Sequence, residues 1–383
     1  MASSDAPVAV IGGGVVGCAV AHALARRGLG VTVLEAESGL ALGASGANSG
    51  ILHTGFDSPP GELETRLILR SAELREQLHT ELGIEIWRCG ARLTPAGTQE
   101  QAAVRALAEN AHTNGVEVDL EHDGAMRIPG EAITDPVAYV GALAAAAQAG
   151  GAEIMVRSRV VRLQQTPAGI SVELEQGEPV RAAAVVNCAG LHADEIARLA
   201  GEEPVRIYPR KGEFLVFRQP AGRRLEEILL PVPSALGKGV LVFPTMDGHL
   251  IAGPTARERE DKADWSVEPD ARELIEQRAR AIYPALAGAE LLDAYAGLRP
   301  AGRGANYVIE HSARIPGLIH VAAIRSTGLS ASLGIAEHVC SMLAGLPGIA
   351  LGTPRALSGE RIPRGPAPWW QRAARHHAKA QTQ

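Results

Sequence analysis

Aromatic residues are scarce: Phe, Trp and Tyr together make up 3% of the 383 residues. A surface that stacks single-stranded nucleic acid needs ring faces for successive bases, so that class is disfavoured. Positive charge is not in excess either. The chain has 37 Lys and Arg against 43 Asp and Glu, a formal net charge of −6. No basic field draws a phosphate backbone, and no nucleic-acid partner is expected. The four cysteines, Cys18, Cys89, Cys188 and Cys340, lie far apart and form no C-x-x-C pair. Clustered ligands for zinc or iron–sulfur are therefore lacking, and no metal site is assigned. No stretch approaches the roughly 20 apolar residues of a membrane helix. The N-terminus lacks the basic segment of a signal sequence. The expectation is a cytoplasmic protein with reduced thiols, long enough for two domains.

What is present starts immediately. Val8-Ala9-Val10-Ile11 is a short apolar run that reads as a buried parallel strand. Gly12-Gly13-Gly14-Val15-Val16-Gly17 follows, then an alanine-rich helix to about Arg27, then a second strand, Val31-Thr32-Val33-Leu34-Glu35. This is a βαβ unit carrying G-x-G-x-x-G. Gly12 permits the tight turn, Gly14 lets the backbone approach a pyrophosphate, and Gly17 lets helix and strand pack closely. The phosphates would sit at a helix N-terminus, where free N–H groups favour anions. Glu35 is placed to accept from a ribose diol. The pattern implies a dinucleotide but does not separate FAD from NAD.

Further along, a strand is predicted near 86–94 and a helix from Thr134-Asp135-Pro136 to about Ala149, with Asp135 as its cap. Strand patterns at 158–165, 169–175 and 183–188 suggest a return to the first sheet. Segments at 205–218, 226–232, 238–244 and 249–253, separated by Pro and Gly, suggest an antiparallel sheet in a second domain. The tail beyond 356 is proline-rich, then basic, with Trp369 and Trp370. It reads as a flexible terminus, or as a weak peripheral membrane contact through the Trp pair.

The fingerprint, the loop Ser45-Gly46-Ala47-Asn48-Ser49-Gly50 and Val186-Asn187-Cys188-Ala189-Gly190 together resemble the D-amino-acid oxidase superfamily of FAD-dependent oxidoreductases. Similarity spans roughly 7–345. It is strongest over Asn48 to Gly61, Pro231 to Thr255, Tyr295 to Pro300 and Arg325 to Leu329. Two branches are most similar: glycerol-3-phosphate oxidase or dehydrogenase, and L-2-hydroxyglutarate dehydrogenase or oxidase.

The resemblance implies an α/β fold, with a Rossmann-like FAD-binding domain of the glutathione-reductase type interleaved with a mixed or antiparallel-sheet substrate domain. The boundaries expected are 1–80, 140–200 and 290–350 for the first, and 81–139 and 201–289 for the second. FAD is expected to bind non-covalently. Gly12, Gly14, Gly17, Glu35, Ser45, Asn48, Ser49, Val160, Ala189 and Gly190 match its binding positions, as do Ser326, Thr327, Gly328 and Leu329 at the start of the last helix. His53 matches the histidine that faces the flavin, and a base of near-neutral pKa suits removal of an alcohol proton. Arg299, Arg325 and Lys238 match candidate contacts for a small anionic substrate. The reaction implied is oxidation of a secondary alcohol by hydride transfer to flavin N5. Glycerol 3-phosphate is the first substrate expected, L-2-hydroxyglutarate or another 2-hydroxy acid the second, and an amino or imino acid the third. A flavin-binding subunit inactive without its partner is a rival of another class. The electrons would pass to oxygen, a quinone or a carrier protein.

Overall fold

The computed structural model describes residues 5–220, 222–233, 239–359 and 367–380. Its first sheet is built on five parallel strands in the spatial order Glu153–Met155, Val31–Leu34, Asp5–Ile11, Val180–Asn187 and Leu318–Ala322. Three antiparallel strands complete it: Val160–Thr166, Gly169–Leu174 and Val308–His311. The central strands are mostly apolar, and residues 8–11, 31–34 and 184–187 are buried because both faces are covered. On one face lies the Val15–Ala25 helix, nearly all buried, packed against the helices Pro136–Ala149 and Gly328–Leu343. The Asp135 cap forms as expected, accepting from Val137 and Ala138 N–H at 2.9 Å each.

The second sheet has nine strands. Its spine is a pair of long antiparallel strands, Ile207–Arg218 and Leu291–Gly302. All other pairings are antiparallel except that of Ile228–Leu230 with Ala91–Leu93. A three-stranded sheet of Ile51–Leu52, Ala132–Thr134 and Ile86–Trp87 lies beside it in the chain's path.

Three expectations are corrected. The single strand predicted near 86–94 is two strands in different sheets, Ile86–Trp87 and Ala91–Leu93, broken where Gly90 takes a left-handed φ of 71°. Residues 291–302, assigned to the cofactor domain, run instead in the second sheet, because Leu291–Gly302 pairs with Ile207–Arg218 almost end to end. The described end of the tail is ordered: Trp369–Ala380 is a helix whose two tryptophans are both 3% exposed. Trp369 stacks edge-on against Tyr295, and Trp370 donates its indole N–H to Asp247 at 3.2 Å. Buried in this way, the pair is not available to a membrane surface. No helix among the described residues is long and apolar enough to cross a membrane.

Candidate active site

A cleft of about 1760 Å³ opens between the ends of the parallel strands and the second sheet. At one end the wall is the glycine turn. Gly12 has φ +108°, and a Cβ on it would lie 2.4 Å from the Cys188 carbonyl oxygen. Gly14 begins the helix, and the Val15 N–H is met by Ser45 Oγ at 2.9 Å. Gly17 is not on the wall; a Cβ there would lie 1.9 Å from the Gly12 carbonyl oxygen, so its role is close packing of helix on turn. Glu35 accepts from Gly13 N–H at 2.6 Å and Glu37 N–H at 2.8 Å, and its side chain also lines the cleft. Val160, Ala189 and Gly190 border the same end.

The loop after the second strand runs along the cleft. Asn48 donates to the Ser45 carbonyl at 2.6 Å and accepts from Gly50 N–H at 2.6 Å, so its side chain shapes the loop. Ser49 accepts from Ile51 N–H at 3.3 Å. Tyr295 pins the loop from the second sheet, donating to the Asn48 carbonyl at 2.9 Å.

The wall also bears His53, Arg299, Arg325, Ser326, Gly328 and Leu329, with Gly328 next to Val16 of the glycine turn. Arg325 takes φ +49°, uncommon for a residue with a side chain, and its guanidinium lies 3.6 Å from Glu64. Thr327 turns away from the cleft: its hydroxyl donates to Glu64 at 2.6 Å and lies 2.8 Å from the Tyr307 hydroxyl. It therefore anchors the loop from behind. Arg299 is held by three carbonyls, donating from Nε to Arg210 at 2.9 Å and from Nη2 to Lys211 and Thr255 at 3.1 and 2.6 Å. Burial, with Arg210 and Arg325 nearby, lowers its pKa to about 10, still well above neutrality. Lys238 lies outside the described residues.

Sequence reasoning missed Glu131. It sits in the turn between the strands Met126–Ile128 and Ala132–Thr134, and its side chain is fully buried. One oxygen lies 2.9 Å from His53 Nδ1; the other accepts from the Thr54 N–H and hydroxyl at 2.7 and 2.9 Å. His53 N–H in turn donates to Ser330 Oγ at 2.8 Å. A carboxylate on Nδ1 fixes that nitrogen as the donor, which leaves Nε2 to accept a proton. A lone Glu in a short turn carries no such signal in sequence, where it reads as a solvated charge.

A family model described as FAD dependent oxidoreductase matches residues 7–342. The chain belongs to that family. It is 31% identical over 352 residues to a glycerol 3-phosphate dehydrogenase of Caloramator mitchellensis, covering 88% of this chain and 73% of that one. It is also 31% identical over 284 residues to the mitochondrial L-2-hydroxyglutarate dehydrogenase of Bos taurus, covering 66% and 61%. The dithionite-reduced, FAD-bound L-α-glycerophosphate oxidase of Mycoplasma pneumoniae superposes with a TM-score of 0.84 at 26% identity, covering 93% and 98%.

This FAD-dependent oxidoreductase has a cleft whose residues fit the cofactor. The volume exceeds the roughly 300–1,000 Å³ of an ordinary small-ligand pocket, as a dinucleotide with a substrate beside it demands. The turn that a side chain would block is glycine, a helix begins there, and a carboxylate stands at the end of the second strand. Burial pushes the Cys18 thiol up to about 12 and raises Cys188 further, so neither offers a thiolate near the turn.

Proposed function

We propose that this oxidoreductase oxidises the secondary alcohol of a small anion, with glycerol 3-phosphate as substrate. The observation that carries the reading is His53 on the wall of the cleft that also bears Arg299 and Arg325, with the buried Glu131 carboxylate behind it on Nδ1. Oxidation of an alcohol removes a proton from oxygen and a hydride equivalent from carbon. Bound FAD supplies the two-electron acceptor. His53 Nε2 accepts the hydroxyl proton, and Glu131 stabilises the imidazolium that results. Arg299 and Arg325 hold the anionic group, and Lys238 is a further candidate contact. Fixed placement of alcohol and base provides a large part of the rate gain.

Gly12, Gly14 and Glu35 are assigned to the pyrophosphate and ribose of FAD, with Gly17 packing behind them. Ser45, Asn48 and Ser49 take the stretch toward the flavin, Val160 the adenine, and Ala189 and Gly190 form a second turn that approaches the cofactor. Ser326, Gly328 and Leu329, anchored by Thr327, face the flavin. The binding is assigned as non-covalent and the protein as cytoplasmic. L-2-hydroxyglutarate is the second reading, favoured by the hydroxyglutarate dehydrogenase relative and by the suitability of guanidinium for carboxylate.

The test is anaerobic bleaching of flavin absorbance near roughly 450 nm by single substrates. Bleaching by glycerol 3-phosphate supports the reading. Bleaching only by L-2-hydroxyglutarate replaces it with the second. If only an amine bleaches the flavin, both alcohol readings fail; if nothing does, a subunit needing a partner takes their place.

A further inference from the structure

The second sheet is rich in ion pairs, and two arginines on it are left out of them. Arg257 is paired with Glu268 and Asp270, Arg303 with Glu258 and Glu260, and Arg259 with Glu268. Even the fully buried Lys211 meets Asp264 at 2.8 Å. Arg299 is held by carbonyl oxygens alone. Arg210 has neither hydrogen bond nor ion pair from its guanidinium among the described residues, and it lines the cleft.

These two arginines stand directly opposite each other on the paired strands Ile207–Arg218 and Leu291–Gly302. Directly opposite residues in an antiparallel pair share a face, with Cβ atoms roughly 4.5–5.5 Å apart, and like charges there repel. The arrangement is built, not accidental. A Cβ on Gly212 would come within 2.6 Å of Arg299 Nη2, so a side chain there would displace the guanidinium. Carbonyl dipoles orient Arg299 without neutralising it. Arg325, the third cation of the group, has one carboxylate near it, Glu64 at 3.6 Å. Glu258 stands opposite Arg210 on its other side, but it is engaged by Arg303 and by the Tyr208 hydroxyl. Arg210, Arg299 and Arg325 therefore have one carboxylate, Glu64, paired among the three of them.

We propose that Arg210 is a specificity-determining residue that makes the site select a doubly charged headgroup over a singly charged one. The inference rests on the anionic-alcohol reading above. A dianion answers both members of the repelling pair. A monoanion leaves one of them uncompensated in a partly desolvated cleft, where an unpaired charge is costly.

The test compares glycerol 3-phosphate with its methyl phosphodiester, which keeps the alcohol and loses one charge. Flavin reduction is followed in wild type, Arg210→Gln and Arg210→Lys. In Arg210→Gln, kcat/KM for the monoester is expected to fall roughly 10- to 100-fold, the range for a lost charge-assisted hydrogen bond. The diester should fall no more than about threefold, and Arg210→Lys should recover most of the monoester's loss. Equal losses for both substrates, or none for either, overturn the proposal. If wild type is reduced by neither, the substrate reading fails first. Inorganic sulfate and nitrate are then titrated into the oxidised holoprotein by their perturbation of the flavin spectrum. A selective loss of sulfate affinity in Arg210→Gln still supports the role of Arg210; no selective loss overturns it.

Discussion

The two ends of the cleft are made of different materials. The nucleotide end is backbone and small residues: Gly12, Gly14, Ala189 and Gly190, with Glu35 as the one carboxylate at the turn. The proposed substrate end is long polar side chains: His53, Arg210, Arg299 and Arg325. Backbone can approach a pyrophosphate only where no Cβ intervenes, so the first end is fixed by what is absent. The second depends on which side chains are brought together and on what holds them. Errors at the first should cost the cofactor, and errors at the second should cost chemistry with the cofactor retained.

Gly17→Val tests the first half of that contrast with the largest expected effect. A Cβ there meets the Gly12 carbonyl oxygen at 1.9 Å, so the turn cannot keep its shape. The purified variant should carry no FAD, read from the ratio of flavin to protein absorbance. A flavin-replete variant breaks the contrast.

His53→Gln tests the other half. It should keep FAD while flavin reduction slows by roughly 10²- to 10⁴-fold, the usual contribution of a positioned base. Stopped-flow reduction under saturating substrate measures it. If cofactor is lost as well, the two ends are not separable.

Glu131→Gln sharpens the substrate end. An amide can still reach Nδ1 but cannot stabilise an imidazolium as a carboxylate does. The loss expected is about 10- to 100-fold in kcat, the size seen for partners that orient a functional histidine. KM should change little, whereas a merely structural disturbance would move both.

Trp369→Ala should have the smallest effect on chemistry. The ring packs on Tyr295, which itself holds the Asn48 carbonyl. Removing it should destabilise the fold by about 3 kcal/mol, within the range for large-to-small changes at buried sites. Denaturant unfolding reads that loss, and reduction rates should stay within about threefold. A large rate loss would tie the C-terminal helix, whose His376 already lines the cleft, to the chemistry.

The same division explains what could be read in the sequence. The glycine turn and the Asp135 cap are local: the residues that make them are neighbours in the chain, and their spacing carries the geometry. Glu131 and Arg210 are not. Glu131 acquires its role only when His53, from a segment 78 residues away, is laid against it. Arg210 becomes one of a pair only through register with Arg299, 89 residues on. In sequence the tail reads as loose because its proline and basic content outweighs two tryptophans. Their large apolar area is instead what docks the helix. The boundary near 290 is not legible in sequence because an apolar strand pattern does not say which sheet it joins.

The strand Asp5–Ile11 lies between Val31–Leu34 and Val180–Asn187. One neighbour follows it from the ribosome almost at once. The other is about 170 residues behind it, some ten to thirty-five seconds at ordinary elongation rates. During that interval one edge of the first strand is unpaired, the condition in which strands recruit foreign chains. The cleft waits longer still, since Leu329 and His376 belong to its wall. Flavin loading is therefore expected to follow translation, and a nascent chain that stops before Gly328 would lack part of the wall the cofactor needs.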